Sequence, residues 1–180
     1  MKSKKFLAIA GILSLAIMSL SLAAIGATEA GVTATVTPGV ISVSVSPGSV
    51  AYGTVGVPSV DNIPTSDTII NANNNGGIPE NFQIKGANAT GTTTTWTITT
   101  GAVGGNPTYN YNHKFIDCGS SSTCASPAAV NTMDASYESL ATNVGAAGNR
   151  YFKLRLSTPT ETGGDTTEHS TMATILATAY

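Results

Sequence analysis

The stretch Tyr151-Phe152-Lys153-Leu154-Arg155-Leu156-Ser157 alternates without a break. Phe152, Leu154 and Leu156 fall on one side of an extended chain; Tyr151, Lys153, Arg155 and Ser157 fall on the other. Successive side chains of a strand point to opposite faces, so this is a half-buried β-strand with its apolar face inward. On a helix Leu154 would fall on the side away from Phe152 and Leu156.

The same period runs through the rest of the chain. Ile41, Val43 and Val45 alternate with Ser42, Ser44 and Ser46, closed by Pro47-Gly48. Val32, Ala34 and Val36 alternate with Thr33, Thr35 and Thr37, closed by Pro38-Gly39. The apolar phase changes across that first break, which makes two strands or one bulged strand. Val50 and Tyr52 start a short run. Further strands are expected over Thr68 to Asn71, at Phe82 and Ile84, and over Thr92 to Thr100 with Trp96 and Ile98 on one face. His113, Phe115 and Asp117 opposite Lys114 and Ile116 give another, and Ser170 to Tyr180 the last. One helical turn is expected near Ala135 to Ala141. Eight to ten short strands parted by Gly-, Pro- and Asn-rich turns predict an all-β fold: a single antiparallel β-sandwich, jelly-roll or Ig-like Greek key, over residues 31–180.

Composition agrees. The 180 residues include 27 threonines and 18 serines, but charged residues are only 10%, against roughly a quarter in an ordinary soluble domain. Three of the eight cations lie in the first five residues, so no cationic cluster remains to neutralise phosphate and no nucleic-acid partner is expected. Lys2, Lys4 and Lys5, then an uncharged run from Phe6 to Ala27, then Thr28 and Ala30, follow the order of a secretory signal. Residues 1–30 are therefore read as a signal peptide cleaved after Ala30 or Ala27. The run is also long enough to anchor in a bilayer if uncleaved, which is the only membrane contact expected. Either way the rest is placed outside the cell or on its surface.

Cys118 and Cys124 bracket five residues in an exported chain, and are expected to form a local disulfide. Tyr109, Tyr111 and His113, interleaved with asparagines, form a candidate exposed ligand-contact patch, since rings stack on sugar faces and amides bond hydroxyls. The plainer alternative is a loop entering a strand. The run Asn71 to Gly77 is read as a turn; with Asp61 and Asp67 near by, it is weighed against calcium, which usually takes carboxylates. No metal site and no cofactor is expected. The nine acids after residue 30 all lie in polar, turn-like stretches, the pattern of a solvated surface. With two histidines and no assembled acid–base pair, a hydrolase is the weakest reading.

Ser46-Pro47-Gly48-Ser49-Val50-Ala51-Tyr52-Gly53-Thr54-Val55, the Trp96-Thr97-Ile98 strand and the late Thr-rich strand give a layout that resembles the WxL-type domains of Gram-positive surface proteins. That resemblance implies cell-wall binding. Those domains carry Trp-x-Leu twice; here the single tryptophan is followed by Thr97 and Ile98, so no binding residue is carried over. The layout is also similar to secreted fibre subunits that polymerise by strand exchange. The expected function is thus a secreted, non-enzymatic structural or cell-surface protein, self-assembling through its N-terminal strand, with self-association or cell-envelope components as partners. The alternative is a carbohydrate- or cell-wall-binding module.

Overall fold

The computed structural model describes residues 33–124 and 129–180. Residues 1–30, read as the signal peptide, and Val32 of the first expected strand lie outside them. Residues up to Thr37 form one unit and Pro38–Tyr180 another. In the first, residues 33–37 form no strand, and Val36 is 88% exposed.

The second unit is all-β, with no helix among its described residues. Its strands are β1 (Val43–Ser46), β2 (Ile70–Asn74), β3 (Glu80–Lys85), β4 (Ala89–Thr90), β5 (Thr95–Ile98), β6 (Asn110–Gly119), β7 (Val130–Met133), β8 (Glu138–Val144), β9 (Asn149–Ser157) and β10 (Thr174–Ala179). One sheet runs β1-β2-β9-β6-β5-β4, with β7 also on β6; the other runs β10-β3-β8. The deciding strand, β9, sits mid-sheet, antiparallel to β2 on one side and to β6 on the other. Phe152, Leu154 and Leu156 are all buried, as the alternation requires.

The main core draws on both sheets. Ile70, Phe115, Met133, Phe152 and Leu154 come from the first, and Phe82, Ile84, Leu140, Ala141 and Val144 from the second. A smaller cluster gathers Ala89, Trp96, Tyr111 and Leu156. Trp96 and Leu156 therefore pack together, while Ile98 borders both clusters. Lys114, Lys153 and Arg155 lie on the other face of β6 and β9, whereas Arg150 and Asp117 share the parity of the core rows at their ends. Lys153 and Arg155 reach Asp67 at 2.6 and 3.3 Å, Lys114 reaches Asp61 at 2.6 Å, and Arg150 pairs with Asp117. The fifth cation of this unit, Lys85, lies 4.6 Å over the Tyr137 ring.

Four expectations are corrected. The strands are not all antiparallel: β5 and β6 pair in parallel, Thr97 opposite Asn110. Residues 99–109, with Gly101, Gly104 and Gly105, carry the chain back so that both strands run the same way, as a parallel pair demands. In place of the helical turn near Ala135 to Ala141 the chain bends at Ala135 and Ser136 and enters β8 at Glu138. Its pairing with β3 has two register shifts, each placing an extra β8 residue against its partner. Adjacent Leu140 and Ala141 are thereby both buried, and the spacing of Leu140, Ala141 and Val144 imitates a helix face. The Asn71–Gly77 turn is shorter than expected, since β2 continues through Asn74. That side chain is fully buried because its amide donates to the Ile78 and Val144 carbonyls at 2.8 and 2.9 Å and accepts from Gly76 N at 2.7 Å. The Val50–Tyr52 run forms no strand, although both side chains pack on the core.

Candidate functional site

An opening of about 1000 Å³ lies between two irregular segments, residues 47–57 and 162–173. These are the continuation of β1 and the approach to β10. Phe152, Leu154 and Leu156 of β9, His113 of β6 and Trp96 of β5 line it from the sheet side. The cleft is thus a seam where the outermost strands of the two sheets give way to loops.

Asp165 shapes one wall. It is 3% exposed. Its Oδ2 accepts from Thr93 N at 2.8 Å and Thr94 N at 2.9 Å, and its Oδ1 accepts from Thr167 N at 2.9 Å. The hydroxyls of Thr94 and Thr167 add to these. Donors from Thr167, Thr93 and Thr94 hold its carboxyl far below the usual range, against the opposing effect of burial. One carboxylate therefore ties the 91–94 turn to the 165–167 loop. The His169 ring stacks on Trp96, centroids 4.1 Å apart at 17°. Gly91 lies against that ring and Asp165, where a Cβ would find no room.

Thr94, His169 and Asp165 thereby come together, and their chemistry can be judged. Thr94 Oγ1 is 3.1 Å from His169 Nε2, and Asp165 Oδ2 is 3.9 Å from the same nitrogen. The other ring nitrogen, Nδ1, is 3.1 Å from the Thr167 carbonyl oxygen, to which it donates. A hydrolytic triad needs the carboxylate on the nitrogen opposite the nucleophile. Here hydroxyl and carboxylate share one nitrogen, and the carboxylate is already occupied by backbone donors. The arrangement fastens loops.

The expected patch is only partly exposed. Tyr109 is half-buried, but Tyr111 is fully buried and His113 is 2% exposed. Tyr111, His113 and Phe115 alternate along β6, so period two turns all three inward. The Tyr111 hydroxyl and one ring nitrogen of His113 have partners that make burial tolerable. The Tyr111 hydroxyl bonds the Ala87 carbonyl and lies 2.9 Å from Thr171 Oγ1. His113 Nε2 is 3.3 Å from the Tyr52 hydroxyl. Burial pushes the Tyr111 phenol up to about 12 and the His113 imidazole down to about 4.

The acids are also not all solvated. Glu80, like Asp165, is buried; its Oε1 accepts from Ser42 N at 2.8 Å and so fixes the entry to β1. Asp61 and Asp67, the acids near the asparagine run, are engaged by the lysines and arginine of the outer face. Among the described residues no three His, Cys, Asp or Glu side chains converge as metal ligands would.

Cys118 and Cys124 are disulfide-bonded, with Cα atoms 4.7 Å apart. Alkylation of the purified protein without reductant should leave both unlabelled; two labelled thiols would contradict the bond. Because the loop it closes is short, its removal should cost roughly 2 kcal/mol and leave the fold intact.

Comparison with protein-family models, with curated proteins and with solved structures finds no match.

Proposed function

We propose that this chain is a secreted, non-enzymatic structural or cell-surface protein that assembles with copies of itself through its N-terminal strand. We read its two sheets as the layers of one β-sandwich, of jelly-roll or Ig-like Greek-key type, because the main core draws on both. The disulfide is consistent with an extracellular location.

One observation carries the proposal. Among the described residues, β1 pairs only with β2 and β10 only with β3, and neither outer strand has a charged residue. Natural sheets usually guard such edges with lysine, proline or a bulge. The sequence leading into β1 is equally bare, with no charge from Gly31 to Val60. Unguarded edges and an uncharged, alternating segment are what strand addition between copies requires.

Deleting residues 32–37, with Gly31 kept beside Ala30, tests the reading. The shortened protein should keep its β circular dichroism and sediment as a monomer where the intact protein sediments as multimers. Unchanged multimers would overturn it.

A carbohydrate- or wall-binding module is the second reading, consistent with the likeness to WxL-type domains. The stacked Trp96–His169 pair beside the cleft favours it. Retention on purified cell walls by a monomeric protein would select it.

A further inference from the structure

We propose that the cleft between residues 47–57 and 162–173 is the acceptor site for assembly, and that residues 32–37 of a second copy of this chain lie in it, extended, over Leu154 and Leu156. This rests on the reading of the N-terminal segment as a donor strand, and adds where that strand goes.

The first support is position. The cleft opens where β1 ends at Ser46 and β10 begins at Thr174, and Val45 and Ile175 of those strands line it. A segment entering here runs along the seam between the two outer strands. Its side chains would meet Phe152, Leu154 and Leu156, and its backbone would meet the loops that continue β1 and lead into β10.

The second support is unmet polarity. Trp96 Nε1 and His113 Nδ1 are buried and have no hydrogen-bond partner, and both residues line the cleft. A buried polar atom without a partner is costly. Both atoms are covered by their neighbours, so an extended peptide, with its carbonyls and N–H groups, answers them only where the Trp96 and His113 side chains turn toward it; a hydrocarbon chain answers neither.

The third support is the character of the segment. Val32, Ala34 and Val36 share one face of a strand, Thr33, Thr35 and Thr37 the other, and no residue is charged. Apolar alternation suits a site with an apolar floor and an open top. Val36 is exposed in this structure, and residues 33–37 hold no strand.

Tethering favours a neighbour's cleft. Val40 is held by Gly77 N at 2.9 Å, and Ser42 by Asn75 N and Glu80, both at 2.8 Å. The chain is thus fixed before β1 begins, whereas the cleft opens past Val45. At ~3.3 Å per residue, those points are about 20 Å apart along the strand.

The test uses Trp96, the sole tryptophan, as reporter. A synthetic peptide of residues 31–37 is titrated into the protein lacking residues 32–37. Saturable change in tryptophan emission is expected, and at least tenfold weaker response to the same peptide carrying Val36→Asp. In parallel, the full chain carrying Val45→Lys and Met172→Lys is sedimented. Both residues line the cleft and are exposed, at 39% and 68%, so the fold should persist. This variant should form no multimers alone but should cap and shorten those of the intact protein. If it assembles normally and the peptide gives no response, the acceptor site is wrong, even where deletion of 32–37 still abolishes assembly. If deletion leaves assembly intact, it is the donor reading that fails. Peptide binding combined with a monomeric intact protein would mean insertion into the chain's own cleft, and would overturn the second copy.

Discussion

Leu154→Asp should leave no folded protein at any temperature. Leu154 is 5% exposed in the main core and lies opposite Phe115 across the β6–β9 pairing. Truncating a buried leucine costs about 2–5 kcal/mol by itself. An aspartate there also buries a charge among apolar side chains, a penalty of several kcal/mol more. The sum approaches or exceeds the whole stability of an ordinary domain, about 5–15 kcal/mol. The neighbouring Lys153→Ala is the control. Lys153 faces outward and pairs with Asp67, itself 44% exposed on its side chain, and such pairs contribute about 1 kcal/mol or less. Circular dichroism and urea unfolding read both. A cooperative transition for Leu154→Asp close to that of Lys153→Ala would mean that the strand is turned the other way.

Acid should weaken the fold well above the ordinary carboxylate range, and His113 should be the cause. Burial lowers this imidazole from 6.5 to about 4 in the folded chain. Between those values the unfolded chain binds the proton and the folded chain does not. Stability is therefore complete above pH ~6.5 and declines as pH falls toward 4, by roughly 3 kcal/mol over the window at about 1.4 kcal/mol per pH unit. Asp67 and Asp165 have lowered carboxyl values, so their contributions are lost only at lower pH. Glu138, raised by burial and by Asp134, acts in the opposite direction. His113→Phe keeps an aromatic ring and removes the titration. Urea midpoints at pH 7 and pH 5 should differ clearly for the natural protein and much less for the variant. Equal differences would place the acid sensitivity elsewhere.

How much of this was legible in sequence varied with how local the cause is. Phe152, Leu154 and Leu156 could be placed because period two is a property of the strand itself. The burial of Leu140 and Ala141 could not, because their inward turn depends on register shifts against β3, a partner some sixty residues away. The parallel β5–β6 pair escaped for the same reason: strand direction is set by where residues 99–109 travel. The candidate site was harder still. Tyr111 and His113 looked exposed because polar residues surround them, yet burial is decided by Ala87, Thr171 and Tyr52, distant in sequence. Asp165 carried one usable signal. An aspartate after Gly163-Gly164 and two residues before Thr167 has the makings of an Asx turn, and it does accept the Thr167 N–H. Its bonds to Thr93 and Thr94 had no such signal.

Negative-stain electron microscopy of the purified, intact protein bears most directly on the claim that copies join through the N-terminal segment. Linear assemblies are predicted, absent from the protein lacking residues 32–37 at the same concentration. Discrete monomers from the intact protein, or identical assemblies from both, would contradict it.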